Sequence, residues 1–364
     1  MKRAYNFNAG PSALPLEVLK KAQEELVDFQ NTGMSLMELS HRSKEYDAVH
    51  AEAEQLLREL MDIPENYEVL FLQGGASLQF AMIPMNFLGK GQVGNYVLTG
   101  SWSEKALKEG KLLGKTFIGA SAKEGNYRSI PAASEIKTNE NDAYLHITSN
   151  NTIYGTQWKD YPKLNCDLIA DMSSDILSRP VDVSQFAMIY AGAQKNLGPS
   201  GVTVAIVRKD LLERTPEHVP TMLRYDTHAK SNSLYNTPPT FGIYMLRNVL
   251  QWLKAQGGAT EIAKRNEEKA QVIYDAIDNS GGFYSGHAEK EARSLMNITF
   301  TLPTEELTKE FLATAKAKGF VGLGGHRSIG GCRASTYNAV PLGACVALSE
   351  FMNEFKNNHL VARC

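Results

Sequence analysis

LIADMSSDILSRPVDVSQFAMIYAGAQKNLGPSG, residues 168–201, contains two short apolar runs, and each delivers a charged residue into a cluster of small ones. The first stops at Asp171, before MSSD. The second passes through AGAQ to Lys195. Runs this short, bounded by small and polar residues, read as strands at 168–171 and 188–190. Similar runs occur at 68–72, 96–98, 117–119, 143–148 and 202–207 and alternate with helical patterns, and ahead of them residues 16–29 and 43–61 read as amphipathic helices. The alternation predicts an α/β domain built on a large, mostly parallel seven-stranded sheet. In an open sheet of that kind, ligands bind beyond the carboxyl ends of the strands. Asp171 and Lys195 are therefore expected to face one crevice.

Helical spacing at 241–253 and 261–277 carries the chain out of this domain near residue 260. Beyond it come a strand at 295–301, a helix at 305–318, a Gly-rich stretch at 321–331 and a last helix after Pro341. These predict a smaller α+β C-terminal domain. The expected division is 16–260 for the large domain, with 1–15 and 261–364 forming the small one.

Composition removes several functional classes. The chain has 364 residues, 43% hydrophobic and 21% charged, enough to bury a sizeable core. Its net charge of −2 supplies no general attraction for nucleic acid or anionic lipid, so any anion binding must be local. Cys166, Cys332, Cys345 and Cys364 lack CxxC spacing, which argues against a zinc site and a disulfide framework and for reduced cytoplasmic thiols. MKRAYNFNAGPSALP carries no signal-peptide apolar run, and nowhere are there about 18 consecutive apolar residues. The expectation is a cytoplasmic protein without a membrane span.

An acid and an amine at successive strand ends are what a pyridine cofactor requires. The lysine forms the Schiff base, while the carboxylate pairs with the ring nitrogen so that the ring draws electrons from the substrate carbon. A lone strand-end Asp is ordinarily a turn former, and a lone Lys ordinarily a solvated charge. In AQKNLGPSG, however, the amine stands among Gly, Pro and small side chains just past an apolar run, where an ammonium is costly. QGGAS, 73–77, places glycines before a helix expected to begin near Ser77, and helix N-termini bind phosphate. Trp102 in TGSWSEKA can stack on a flat ring, though a core Trp looks the same in sequence. Thr152 in SNNTIYGTQ offers a hydroxyl to the ring oxygen or the phosphate.

Eight stretches in order then identify a family: FNAGPSALP (7–15), SHRSKEY (40–46), FLQGGAS (71–77), TSNNTIYGTQ (148–157), ADMSSDILSRP (170–180), AGAQKNLGPSG (191–201), YNTPPT (235–240) and GGHRSIGGCRASTYNA (324–339). Over essentially its whole length the chain resembles the class V aminotransferases of the fold-type I pyridoxal 5'-phosphate enzymes, within them the branch that acts on phosphorylated acids. The resemblance implies that Lys195 anchors the cofactor, Asp171 pairs with the pyridine nitrogen and Trp102 stacks on the ring. It places Ala76, Ser77 and Gln194 at the phosphate and Thr152 near the ring oxygen. Residues matching Asn236 and Thr237 reach that phosphate from the other subunit in the family, which implies a homodimer with shared active sites. Some relatives carry Arg where Ser77 stands, so this phosphate cup offers a hydroxyl in its place.

The HR pairs, His41–Arg42 and His326–Arg327, together with Arg333, suit an acid charged at both ends, because guanidinium forks match carboxylate and phosphate alike. Surface salt bridges are the bland alternative, each worth about 0–1 kcal/mol. The second HR pair is embedded in glycines that let a ligand approach the backbone closely. By resemblance, Arg333 takes the α-carboxylate and His41, Arg42, His326 and Arg327 gather round the substrate phosphate. The implied reaction moves the amino group of L-glutamate reversibly to 3-phosphohydroxypyruvate, giving O-phospho-L-serine and 2-oxoglutarate, in L-serine biosynthesis. Transamination of the serine– or alanine–glyoxylate type is the alternative. Cysteine desulfuration would need a catalytic Cys on a mobile loop, and Cys332 reads more simply as packing. A non-catalytic descendant would have lost Lys195 or Asp171.

Overall fold

The computed structural model describes residues 3–361; Cys364 lies outside them. Seven strands form the main sheet: β1 (Tyr67–Leu72), β2 (Val93–Leu98), β3 (Lys115–Ser121), β4 (Asp142–Thr148), β5 (Leu168–Asp171), β6 (Met188–Gly192) and β7 (Thr203–Arg208). Their order across the sheet is β1-β7-β6-β5-β4-β2-β3. All neighbouring pairs are parallel except those of β7, which runs antiparallel to both β1 and β6. Six carboxyl ends therefore share one edge. The expected sheet stands, with strand ends displaced by up to three residues.

Period-two alternation explains the layers. In β1, Val69 and Phe71 enter one apolar cluster and Leu70 and Leu72 another; in β6, Ile189 and Ala191 part from Met188 and Tyr190 in the same way. Each face is thus covered, and the strands read as continuous apolar runs. Helices α3 (Gly75–Phe87) and α4 (Ser101–Leu113) supply Phe80, Ile83 and Leu107 to one face. Leu57 of α2 (Lys44–Met61) and Leu246 and Leu250 of α5 (Thr240–Ala255) cover the other. Ser43 caps α2 by accepting from the Tyr46 amide at 3.3 Å, a contact worth about 1 kcal/mol.

A second, antiparallel sheet joins Ser285–Gly286, β8 (Asn297–Thr301) and β9 (Cys332–Ser335). Around it pack α6 (Gly258–Asp278), α7 (Glu305–Ala317) and α8 (Leu342–Val361). Phe300 and Phe311 meet edge-on there, ring centroids 6.0 Å apart, among fully buried aromatics. Truncating Phe311 to Ala would cost about 3–5 kcal/mol. Tyr5–Asn6 pairs in parallel with Phe320–Val321, so the N-terminal residues join this unit. Ala259 and Ile262 of α6 belong to the main-sheet core, while Ala270, Ile273 and Ile277 belong to the second. One helix spans both.

One helix departs from expectation. α1 covers Leu16–Glu24 and does not continue to residue 29. Gln30 and Asn31 adopt left-handed φ of 52° and 61°, and the Asp28 carboxylate accepts from the Gly33 amide at 2.8 Å. This turn reverses the chain, leaving Val27 81% exposed. Among the described residues no helix is long and apolar enough to cross a membrane.

Candidate active site

β5 ends at Asp171, whose side chain is 4% exposed. Its Oδ1 accepts from both the Ser173 amide (2.9 Å) and the Ser173 hydroxyl (2.6 Å). The same hydroxyl accepts from the amide of Gly192, the last residue of β6, at 3.1 Å. Ser173 therefore ties two strand ends together and fixes the carboxylate. Oδ2 receives no hydrogen bond among the described residues. Burial pushes the acid above its ordinary pKa, opposed by the Ser173 bonds and the Lys195 charge.

Lys195 follows β6 by three residues, and its Nζ donates to the Thr152 hydroxyl at 2.8 Å. Burial lowers its pKa to about 8, with the Asp171 charge opposing. Burial therefore shifts the amine towards its neutral form. Its backbone carbonyl accepts from the Ser12 hydroxyl at 2.6 Å, and the Ser12 amide donates to the Gln194 carbonyl at 3.0 Å. A Cβ on Gly10 would lie 3.4 Å from the Lys195 stem, so the N-terminal segment forms a close wall of the site.

A cavity of 310 Å³ connects these groups, lined by Ala76, Ser77, Trp102, Thr152, Asp171, Gln194, Lys195, His326 and Arg333, with Ala9, Gly10, Gly75, Asn150 and Ser173 among the rest. α3 begins at Gly75, two residues before the expected start, after Gly74 at φ +87°. A Cβ on Gly74 would stand 2.6 Å from Leu78, so only glycine makes this turn. First-turn amides have no partner inside a helix, and here they stand at the cavity wall. Trp102 sits in the first turn of α4; its ring centroid is 5.9 Å from the Lys195 Nζ, and its buried Nε1 has no partner among the described residues.

Arg333 on β9 donates from Nη1 to the Thr152 carbonyl at 3.1 Å. Its buried Nε has no partner among the described residues, and burial lowers its pKa. The His326 Nδ1 meets the Ser328 hydroxyl at 2.7 Å. Burial, then Arg333, Arg327 and Lys105, depress the His326 pKa.

Five of the expected residues lie outside the cavity lining. Arg327 is exposed beside His326. His41 is half-buried and Arg42 exposed, in the segment between a short turn at Leu36–Glu38 and α2. Asn236 donates to Gln73 Oε1 at 3.1 Å and Thr237 is exposed. One chain thus gathers the acid, the amine, Trp102 and the α3 end, but not the His41–Arg42 pair or Asn236 and Thr237. The sequence reading passed over Ser173 and the Ala9–Gly10 wall. Ser173 stood in plain view as the residue two past a strand-end Asp, where such turns accept amides. A larger cavity, 660 Å³, is bounded by Arg3, Trp252, Arg265 and Lys269, but no strand-end acid and amine meet there.

The donor set fits pyridoxal phosphate: free helix amides for a phosphate, an indole for the ring face, a fixed carboxylate for the ring nitrogen and a part-neutral amine for the aldehyde. The strand order and this constellation define a pyridoxal phosphate-dependent enzyme of the α/β type.

Comparison with known proteins narrows the class. The description "Aminotransferase class-V" matches residues 4–341. The chain is 70% identical over 360 residues to the phosphoserine aminotransferase of Halalkalibacterium halodurans, covering 99% of this chain and all of that one. Its structure is similar to that of phosphoserine aminotransferase from Bacillus circulans subsp. alkalophilus, with a TM-score of 0.97 at 60% identity over 99% of this chain and 100% of that one. It is also similar to a PLP-bound phosphoserine aminotransferase from Trichomonas vaginalis, with a TM-score of 0.92 at 39% identity over 96% and 100% of the two chains. The chain belongs to the aminotransferase class-V family.

Proposed function

We propose that the chain catalyses reversible, pyridoxal phosphate-dependent transfer of the amino group of L-glutamate to 3-phosphohydroxypyruvate, yielding O-phospho-L-serine and 2-oxoglutarate in L-serine biosynthesis. The observation that carries this reading is the meeting of Asp171, Lys195 and Arg333 in one cavity whose rim holds cations without carboxylate partners.

When bound, pyridoxal phosphate supplies a ring that withdraws electrons from the substrate Cα and carries the amino group between the two acids. Lys195 anchors it and, as a part-neutral amine, takes and returns the proton at Cα. Thr152 orients that amine through the 2.8 Å hydrogen bond. Asp171 would present Oδ2 to the ring nitrogen while Ser173 holds Oδ1. Trp102 would cover one face of the ring. The amides of Ala76 and Ser77, with Gln194, would hold the cofactor phosphate. Arg333 grips the substrate α-carboxylate as a fork, its unpartnered Nε being available. His326 and Arg327 take the far end, whether phosphate or the side-chain carboxylate of glutamate.

The remaining groups come from a second copy of the chain: Asn236 and Thr237 of the partner subunit at the cofactor phosphate, and His41 and Arg42 of the partner subunit at the substrate phosphate. Exposed apolar residues beside these groups support a homodimer, Met37 at 54% and Tyr235 at 49%. We further infer a large domain at 16–260 and a small one at 1–15 and 261–364, since the change of core within α6 falls between Ile262 and Ala270. A cytoplasmic location accords with Cys166, Cys332 and Cys345 being free thiols.

The test is acceptor choice. With glutamate as donor, 3-phosphohydroxypyruvate should be used in preference to glyoxylate; the opposite order overturns the assignment.

A further inference from the structure

We propose that Lys105, which no motif above absorbs, is a specificity residue that reads the phosphate of the substrate from the Trp102 side of the cavity. The proposal rests on the phosphorylated-acid reading and extends it by one residue.

Lys105 lies one turn into α4, three residues past Trp102, and its Nζ stands 4.1 Å from the centre of the Trp102 ring. The same ring has the Lys195 Nζ at 5.9 Å. One indole wall therefore carries the working amine and a second, exposed ammonium. The adjacent Glu104, the obvious counter-charge, is taken by Lys123 at 2.7 Å. Among the described residues Lys105, His326, Arg327 and Arg333 have no salt-bridge partner. In a chain of net charge −2, this is a local excess of positive charge at one rim. The excess is felt within the group, since Arg333, Arg327 and Lys105 all press the His326 imidazole towards its neutral form.

Like charges gathered without counter-ions repel, and the repulsion is relieved when an anion arrives. A dianion relieves it more than a monoanion does. A flexible ammonium can leave a cation–π contact worth about 0.5–1 kcal/mol at an exposed site for a charge-assisted hydrogen bond to phosphate oxygen. Lys105 thus favours the phosphorylated acid over glutamate, whose far end carries a single charge. Its resting place over Trp102 is outside the cavity lining and so out of the reacting centre.

The experiment compares wild-type holoenzyme with Lys105→Gln and Lys105→Arg, measuring kcat/KM for amino donation from O-phosphoserine and from L-glutamate separately. Lys105→Gln should lose on the order of tenfold with O-phosphoserine and less than about threefold with glutamate. Lys105→Arg should keep most of the wild-type preference. Equal losses on both donors would mean that Lys105 merely props Trp102, and would overturn the proposal, as would no loss on either. Inorganic phosphate, used as a competitive probe, separates this idea from the wider functional reading. If Lys105→Gln is inhibited by phosphate as strongly as wild type, the Lys105 role fails whatever the acceptor preference.

Discussion

The floor and the rim of the cavity are built to opposite rules. At the floor each charge is held by a neighbour: Asp171 by the amide and hydroxyl of Ser173, and Lys195 by Thr152, with Ser12 fixing its backbone. At the rim, Arg327 and Lys105 are exposed and have no carboxylate partner among the described residues. In the proposed function the floor would perform chemistry that cannot tolerate misplacement, which suits groups preorganised by their surroundings. The rim would discriminate between ligands, since unpaired cations there gain most when a dianion binds. Fixing costs a buried acid and a buried amine their ordinary pKa values, whereas openness costs mutual repulsion.

The sharpest way to break this contrast is at the floor. Lys195→Ala should lower transamination by on the order of a thousandfold or more and abolish covalent capture of pyridoxal phosphate, read by absorbance after removal of free cofactor. Asp171→Asn should preserve the fold, since Ser173 can still bond the amide oxygen, yet lower kcat by roughly 100- to 1000-fold. If the Asn variant kept near-wild-type kcat, the acid would be structural and the floor would not be the chemical centre.

A smaller but more diagnostic effect concerns assembly. Lys195→Ala and Arg42→Ala proteins, each nearly inactive on phosphorylated substrate, should recover about a quarter of wild-type activity when their subunits are mixed and reassorted, because each mixed dimer regains one complete site. No recovery, with exchange verified, would place Arg42 in its own subunit's site.

The smallest effect is on stability. The folded pKa of Lys195 is about 8, below the ordinary 10.5. Below about pH 8 the amine is protonated in both folded and unfolded chains, and the folded state bears the whole cost of burying it. Between those values the folded chain has already shed the proton, so stability rises with pH; above them no cost remains. Cofactor-free wild type should therefore gain on the order of 1 kcal/mol relative to Lys195→Met between about pH 7.5 and 9.5 in denaturant melts, a figure discounted for partial exposure. Lys159 and Lys269, also lowered to about 8, are common to both proteins and cancel.

The floor was largely legible in the sequence, for a physical reason. A strand running through a two-sided sheet is an apolar run, and the charge at its end marks the edge where ligands bind, so the sequence alone pairs Asp171 with Lys195. Ser173 was legible in principle, two residues past Asp171, but the hydrogen bond it receives from Gly192 was not, because that contact is set by strand order. The wall made by Ala9 and Gly10 was hidden for the same reason, lying some 185 residues from Lys195 in the chain. Apolar periodicity misread the end of α1, since Leu26 and Val27 continue a helical pattern that the turn at Gln30 and Asn31 cuts short. The rim was readable as residue types but not as positions: His41, Arg42, Asn236 and Thr237 stand away from the cavity of their own chain.

The pairing of Tyr5–Asn6 with Phe320–Val321 imposes an order on synthesis. A ribosome releases the segment that will wall in Lys195 about 315 residues before the strand that captures it. At about 5–20 residues per second the interval is roughly 15–60 s. Throughout it the main sheet can form and bring Asp171 beside Lys195 while the cleft lacks one side, so a nascent chain stalled short of Phe320 should hold the working pair in an open, inactive cleft.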